Sequence, residues 1–334
     1  MITGDISSAL GLDASGTWRP PPGPDAAPGT YATSLPFSVA RSTGEKPRQV
    51  ATALAAKLRA AGWVAEASVT GGGYLTVTVT PEALAALAVR VPAAGTGCAA
   101  SNALSGHTFP APPATDLASA AGWHQAWDLV AAEVTAQLAA AAGAHIVKAK
   151  TVAEREADVR PGPADAVAAA GVGAVRYALA RTPFHRVRLI SPTAYVRNTL
   201  ENPFFAVRYA HARAASVLRW AGDLRIDRGE PGSFRPELLA QPSERELLGA
   251  ISWLPERAAS AARRQRPDAF ARYLEWLATS WLSCTENCPA LPFGGWSAPH
   301  DQAGMAARLW LAAAAATALG TCLRLAGVAA PERL

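Results

Sequence analysis

The residues best suited to chemistry in this chain of 334 residues are arginines grouped around a tyrosine. In a helix running from Phe204 to Arg219, steps of 100° per residue place five residues on one stripe, which we expect to face the core: Phe204, Val207, His211, Ala214 and Leu218. The opposite face gathers Arg208, Tyr209, Arg213, Ser216 and Arg219. Guanidinium groups bind phosphates and an aromatic ring stacks on an unpaired base, so this face could bind RNA. A solvated face with ordinary surface arginines explains the pattern equally well.

A second candidate lies on a helix predicted from Asp268 to Leu282. Its core stripe comprises Phe270, Tyr273, Leu274, Leu277 and Trp281. Trp276 falls off that stripe by about 100°, and Arg272 lies four residues earlier on the same face. The two could stack on each other or on a base, whereas packing at the edge of the core is the alternative. Four arginines just upstream would attract phosphates or form a solvated helix end: Arg257, Arg263, Arg264 and Arg266.

Other reactive side chains form no recognisable site. The chain has four cysteines, Cys98, Cys284, Cys288 and Cys322, and the single C-x3-C spacing has no second pair to complete a zinc site. Free thiols in a reducing compartment are expected. Neither glycine-rich stretch fits a phosphate-binding fingerprint, and no Ser/His/Asp or Cys/His set has a supporting spacing. We expect no metal and no cofactor.

The elements that must position these residues divide the chain into two unlike halves. In the first half, the pattern predicts a helix that begins at Glu45-Lys46-Pro47. Two strands are then predicted between Glu66 and Val79, joined by Gly71-Gly72-Gly73. One helix, from about Gly122 to Ala142, follows a turn-rich stretch. From Ser191 onward the pattern is helical, with proline breaks and a capping-box sequence at Ser243-Glu-Arg-Glu246. The fold class is therefore α+β, a small α/β domain followed by a mainly helical bundle.

Charge and hydropathy bear on the partners. Residues 172–334 carry 20 arginines against 13 acidic residues, a net charge of +7, whereas residues 1–171 carry 11 basic and 13 acidic residues. The helical half therefore suits a polyanion. The apolar run from Met305 to Gly327 contains Arg308 and Arg324, so we interpret it as a buried helix rather than a membrane span. With no signal peptide at the N-terminus, we expect a cytoplasmic protein.

Four segments resemble arginyl-tRNA synthetases, in the same order. Residues 202–213, Asn-Pro-Phe-Phe-Ala-Val-Arg-Tyr-Ala-His-Ala-Arg, resemble the opening of that family's anticodon-binding helical domain. Residues 173–177 are similar to its Asp-Ala-x-Arg-Tyr stretch, and residues 325–334 to its closing Gly-Ile-x-x-Pro-Glu-Arg-Met. Residues 29–33, Gly-Thr-Tyr-Ala-Thr, resemble the Gly-Asp-Tyr-Ala-Thr of its N-terminal domain. Gly173 replaces the usual Asp, and Leu334 replaces the closing Met.

This resemblance implies three regions. Residues 1–95 would form the N-terminal-like α/β domain, residues 96–170 a linker with one helix in place of the catalytic core, and residues 171–334 the anticodon-binding bundle. The chain is similar to an actinobacterial group of anticodon-binding proteins that are related to the synthetase and lack its catalytic domain. The implied partner is tRNA, with arginine tRNA as one possibility, and neither a membrane nor a metal is implied.

The catalytic core of the family has no room here. Residues 95–170 number about 75, while a single βαβ unit takes ~30 or more. Where the family has His-x-Gly-His, only Gly106-His107 is present, and Leu104 replaces the first histidine. Lys148 and Lys150 lie where the phosphate-binding lysine loop would fall, either as a remnant or as solvated lysines. We expect no catalytic residues.

Three hypotheses follow. The first is a non-catalytic tRNA-binding protein that contacts tRNA through its helical half, by way of Arg208, Tyr209, Arg213, Arg219, Arg272 and Trp276. The second is a protein-interaction module on the same fold, in which a protein partner replaces RNA. The third is an enzyme that uses charged arginyl-tRNA. A steep salt dependence of nucleic-acid binding distinguishes the first from the second.

Overall fold

The structure is a computed structural model that describes residues 1–12, 18–20, 27–113, 116–148, 162–189, 191–292 and 302–334. The N-terminal part of the chain contributes α1 (Ile2–Leu10), β1 (Trp18–Arg19), β2 (Thr30–Thr33), α2 (Leu35–Thr43), α3 (Pro47–Arg59), β3 (Val64–Thr70), β4 (Tyr74–Val79), α4 (Pro81–Ala85) and α5 (Leu87–Ala94). The middle contributes β5 (Thr108–Pro110), α6 (Trp123–Ala141), β6 (His145–Val147) and α7 (Pro163–Ala170). The helical half comprises α8 (Val172–Arg181), α9 (Pro203–Asp223), α10 (Pro242–Ser252), α11 (Leu254–Arg263), α12 (Pro267–Asn287) and α13 (Gln302–Leu325).

The N-terminal sheet is antiparallel, with strand order β1-β2-β4-β3. The predicted hairpin is confirmed, because β3 and β4 are joined by the glycine turn. Gly73 has a φ of +134°, and a Cβ there would lie 2.9 Å from the backbone of Pro47, so the turn needs glycine to approach α3. Alternate residues of β4 are buried, and α3 packs across β3 and β4.

The middle region holds more structure than the single predicted helix. β5 and β6 pair in parallel, and α6 lies between them in sequence, so they form one small βαβ unit. α7 follows before the helical half begins. His107 stands just before β5, a strand rather than a helix, and its carbonyl accepts a hydrogen bond from the backbone of His145 at 2.9 Å. Lys148 follows β6, whereas Lys150 lies outside the described residues.

Local signals explain where two helices of the bundle begin. α9 starts at Pro203, and the side chain of Asn202 accepts a hydrogen bond from the backbone of Phe204 at 3.0 Å. α10 begins two residues earlier than its capping sequence indicated. Gln241, not Ser243, is the N-cap residue, and its backbone donates to Glu244 at 2.9 Å because Pro242 takes the first helical position.

α13 is the central helix of the bundle. It packs against α9, α5 and α12, and most of its alanines are buried. Among the described helices it alone is long and apolar enough to cross a membrane, but 78% of its most apolar window is buried inside the protein. The expected buried helix is therefore confirmed.

The two halves share one hydrophobic core. The hydroxyl of Tyr31 in β2 donates to Ser252 at the end of α10, at 2.8 Å. Cys98, just after α5, approaches Thr321 of α13 with 3.5 Å between sulfur and oxygen. These contacts are buried, so the α/β region and the bundle form a continuous packed unit. The predicted fold class is confirmed.

Candidate nucleic-acid interface

The buried face of α9 is rotated about the helix axis relative to the predicted stripe. Val207, His211 and Ala214 are buried as expected, but Phe204 and Leu218 are only half-buried. Ala210, Val217 and Ala221 are also buried, so the centre of the face lies nearer Ala214 than His211. The reason is that α9 packs most extensively against α13, whose small alanines allow close approach on that side.

The predicted arginine face separates into two rows along α9. Arg208 and Arg219 lie on the side nearest the C-terminal tail. The guanidinium of Arg208 sits 4.9 Å from the ring centre of Phe204, and burial lowers the pKa of Arg208. Arg219 donates to the carbonyl of Glu332 at 3.0 Å and to the hydroxyl of Ser216 at 2.8 Å. Arg219 therefore anchors the tail, with further N–H groups left for other partners.

Tyr209 and Arg213 form the second row, which continues to Trp220. These residues are separated by four and seven positions, which places them on one line along the helix. Tyr209 stacks on Phe205 with ring centres 5.7 Å apart and planes 17° apart. Trp220 is 49% exposed. The prediction stopped at Arg219 and missed Trp220, although the same helical count, taken one residue further, would have found it.

Arg213 and Trp220 line a groove of about 260 Å³ between α9, the end of α12 and α13. Its other walls include Trp281, Thr285 and Arg308. Among the described residues, the side chain of Arg213 makes no ion pair or hydrogen bond. Arg308, in contrast, donates to the fully buried carboxylate of Glu244 at 2.8 Å. Arg213 is therefore the cation in this groove that remains free for an anionic ligand.

The second predicted pair does not join this groove. Trp276 is 38% exposed on α12 and packs edge-on against the buried ring of Tyr273, with 5.9 Å between ring centres. It lines a different cavity, which lies where the N-terminal region meets the bundle, together with Arg257. Arg272 is exposed and lines neither cavity. The six predicted residues thus lie around the bundle rather than in one site.

The arginine cluster upstream of α12 is also divided. Arg266 pairs with Asp268 at 2.7 Å, and Arg263 donates to the carbonyl of Ala103 at 3.3 Å. Arg264 is exposed. Arg257 is half-buried, and its guanidinium lies 5.8 Å from the ring centre of Trp253. Sequence reasoning treated these four residues alike, whereas the structure gives each of them a different environment.

The residues of α8 that resemble the synthetase motif serve packing. Arg176 pairs with Glu133 of α6, and Tyr177 donates to Glu275 of α12 at 3.1 Å. A Cβ on Gly173 would lie 3.4 Å from the ring of Phe204, a tight but ordinary distance. These contacts connect α6, α8, α9 and α12, so this segment holds the bundle together.

The described cysteines are buried free thiols. Burial raises the pKa of the Cys98 thiol, and it raises that of Cys284 to about 12, so these thiols stay protonated. Within the described part of the chain, no three His, Cys, Asp or Glu side chains are grouped to hold a metal ion. His107 is exposed in a turn.

Comparison with protein families identifies the two regions. Residues 207–334 match the DALR anticodon binding domain, and residues 21–79 match the arginyl tRNA synthetase N terminal domain. The chain carries both domains. The groove with Arg213 and Trp220 thus lies within the DALR domain, and the four-stranded sheet belongs mainly to the N-terminal domain.

Curated relatives agree with this assignment. The chain is 38% identical over 170 residues to the arginine–tRNA ligase of Clavibacter sepedonicus, an alignment that covers 51% of this chain and 30% of the relative. It is 37% identical over 172 residues to the arginine–tRNA ligase of Frankia alni, again over 51% of this chain and 30% of the relative. The alignments therefore span less than a third of the length of these enzymes. The predicted resemblance is confirmed.

A solved structure supports the fold. The Thermus thermophilus arginyl-tRNA synthetase superposes with a TM-score of 0.62 at 14% sequence identity, over the full length of both chains compared. At this identity the similarity concerns the fold alone. The DALR domain and the N-terminal domain therefore have the architecture that their sequences predicted.

Proposed function

We propose that this protein binds tRNA and does not aminoacylate it. The observation that carries the proposal is the groove of the DALR domain, where the unpaired Arg213 stands beside the exposed ring of Trp220. A guanidinium without an internal partner suits a phosphate, and an exposed indole suits an unpaired base. The net charge of +7 on residues 172–334 supports a polyanionic partner.

The absence of aminoacylation is proposed on three observations. The family matches cover residues 21–79 and 207–334, and the described stretch between them contains one small βαβ unit. His107 is followed by a strand and Pro110, whereas the family's His-x-Gly-His turn leads into a helix. The described thiols and histidines form no catalytic group. We therefore propose a non-catalytic tRNA-binding protein, and we propose that it acts in the cytoplasm.

The proposal is tested by two measurements on the purified full chain. RNA that co-purifies with the protein should be enriched in tRNA when it is sequenced, and its identity will show whether arginine tRNA is preferred. ATP–pyrophosphate exchange with arginine should stay at the level of a buffer blank. Arginine-dependent exchange that survives further purification would overturn the non-catalytic part of the proposal.

A protein partner is the second candidate for the groove. Its walls are largely apolar, and Leu224 is 49% exposed beside Trp220. Co-purification of one protein at fixed stoichiometry, without RNA, would favour this candidate over tRNA.

A further inference from the structure

A second cavity lies at the junction between the N-terminal domain and the helical bundle. It has a volume of about 510 Å³, within the range of small-molecule pockets. Residues from both halves line it, among them Pro28, Gly29, Glu246, Trp253, Arg257 and Trp276. It shares none of its lining residues with the groove around Arg213.

Arg257 is the cation of this junction cavity, and it has no anionic partner in the described part of the chain. Its Nε is buried and forms no hydrogen bond there. Burial lowers the pKa of Arg257, and the nearby Arg264 acts in the same direction. Because Arg257 lines the cavity and no described carboxylate neutralises its charge, it is suited to bind an anion that enters the cavity.

Two indole rings stand beside this guanidinium. The Trp253 ring lies 5.8 Å from the guanidinium of Arg257 and 5.0 Å from the ring of Tyr31, so it is fixed on both sides. Trp276 is 38% exposed and offers ring surface to the cavity. A fixed cation and an exposed aromatic surface are together the groups that bind a planar base carrying a phosphate.

The wall of the cavity is held in place by contacts between the halves. A Cβ on Gly249 would lie 3.0 Å from the side chain of Pro28, so the N-terminal segment rests directly on α10. Tyr31 and Ser252 lie three residues after Pro28 and Gly249 respectively, and the buried hydrogen bond between them joins the same two segments. The cavity is therefore preformed, which reduces the entropy lost on binding.

We propose that the junction cavity binds one nucleotide, with its phosphate on Arg257 and its base against Trp276. The nucleotide is either an unpaired residue of bound RNA or a free mononucleotide. The RNA case rests on the proposed tRNA binding, whereas the mononucleotide case does not. Glu246 is the single carboxylate among the described lining residues, is exposed, and forms no ion pair with Arg257. Its position at the rim suits it to accept a hydrogen bond from an exocyclic amino group of the base.

The test compares three full-length variants, Arg257→Gln, Trp276→Leu and Arg264→Gln. Arg264 is exposed, lies outside the cavity and carries the same charge, so Arg264→Gln controls for the loss of one positive charge. Thermal unfolding first establishes that each variant is folded. Binding of a fluorescent tRNA is then measured by anisotropy, and binding of adenosine 5′-monophosphate by isothermal titration calorimetry.

An RNA-borne nucleotide predicts that Arg257→Gln and Trp276→Leu weaken tRNA binding about five- to tenfold relative to Arg264→Gln. A free nucleotide predicts instead that both variants lose calorimetric binding of the mononucleotide while tRNA binding stays unchanged. If the wild-type protein binds no tRNA, the proposed function fails and the mononucleotide measurement alone decides the cavity. Folded Arg257→Gln and Trp276→Leu proteins that match Arg264→Gln in both measurements would overturn the inference.

Discussion

The imidazole Nδ1 of His211 lies 2.8 Å from the carbonyl oxygen of Pro331. A carbonyl only accepts hydrogen bonds, so Nδ1 carries the proton and donates. Arg219, two turns further along α9, bonds the neighbouring carbonyl of Glu332 at 3.0 Å. α9 therefore holds the C-terminal tail at two consecutive carbonyls, and the closing Pro-Glu-Arg segment is part of the folded bundle.

We predict that the burial of His211 makes stability depend on pH. Burial lowers the pKa of His211 below its ordinary value of 6.5, so the unfolded chain takes up the proton at a higher pH than the folded chain. The free energy of unfolding should have its full value above about pH 6.5. It should fall as the pH drops from 6.5 through the lower pKa that His211 has in the folded chain. Urea unfolding of wild type and His211→Gln across this window should show a smaller decline in the variant. Equal declines would contradict the prediction.

For Arg213 we expect a loss of RNA binding without loss of fold. Its side chain lines the groove and has no internal partner in the described chain, so Arg213→Gln should leave the melting temperature nearly unchanged. A lost phosphate contact should make the log–log salt slope shallower by about one unit. Arg264→Gln, an exposed arginine outside the groove, is the matched control. If the two variants bind RNA alike, Arg213 does not contact phosphate.

Trp220 should contribute through stacking rather than charge. Removing an exposed indole that stacks on a base costs ~1 to 3 kcal/mol of binding, and the salt slope should not change. Since Trp220 is 49% exposed, Trp220→Ala should also unfold near the wild-type temperature. Unchanged affinity of the folded variant for tRNA would show that the base binds elsewhere.

For Arg308 we expect a large loss of stability, in contrast to Arg213 and Trp220, because its partner is buried. Glu244 is fully buried, and Arg308→Met would leave its carboxylate without the guanidinium that neutralises it. Removing one partner of such a pair costs about 3 to 5 kcal/mol of stability. Chemical denaturation should therefore show a large loss for Arg308→Met and a much smaller one for Arg213→Gln. A change below about 1 kcal/mol would mean that the pair contributes little.

The sequence predicted where helices and strands begin and end better than which side of each helix is buried. The start of α3, the β3–β4 hairpin and the extent of α6 follow from proline, glycine and apolar spacing, which are local signals. Which face of α9 is buried, and how far Arg213 lies from Trp276, depend on which helices pack together. No local sequence pattern contains that information. Arg257 shows the limit most clearly, because the cavity that it lines is completed by Pro28 and Gly29, a distant part of the chain.

The shared core also bears on how the protein should be tested. Tyr31 and Cys98 contact the bundle in its interior, so removing residues 1–170 would expose buried surface of α10 and α13. Binding experiments therefore belong on the full chain, with variants at the groove and at the junction cavity separating the two sites.

The most direct test of the proposed function is the affinity of the full-length protein for tRNA, measured by fluorescence anisotropy over a range of salt concentrations. We predict saturable binding that weakens steeply with salt, with a log–log slope of about −0.7 to −0.9 for each phosphate contacted. No binding at low salt, or an affinity that does not change between low and physiological salt, would contradict tRNA binding through this arginine-rich bundle.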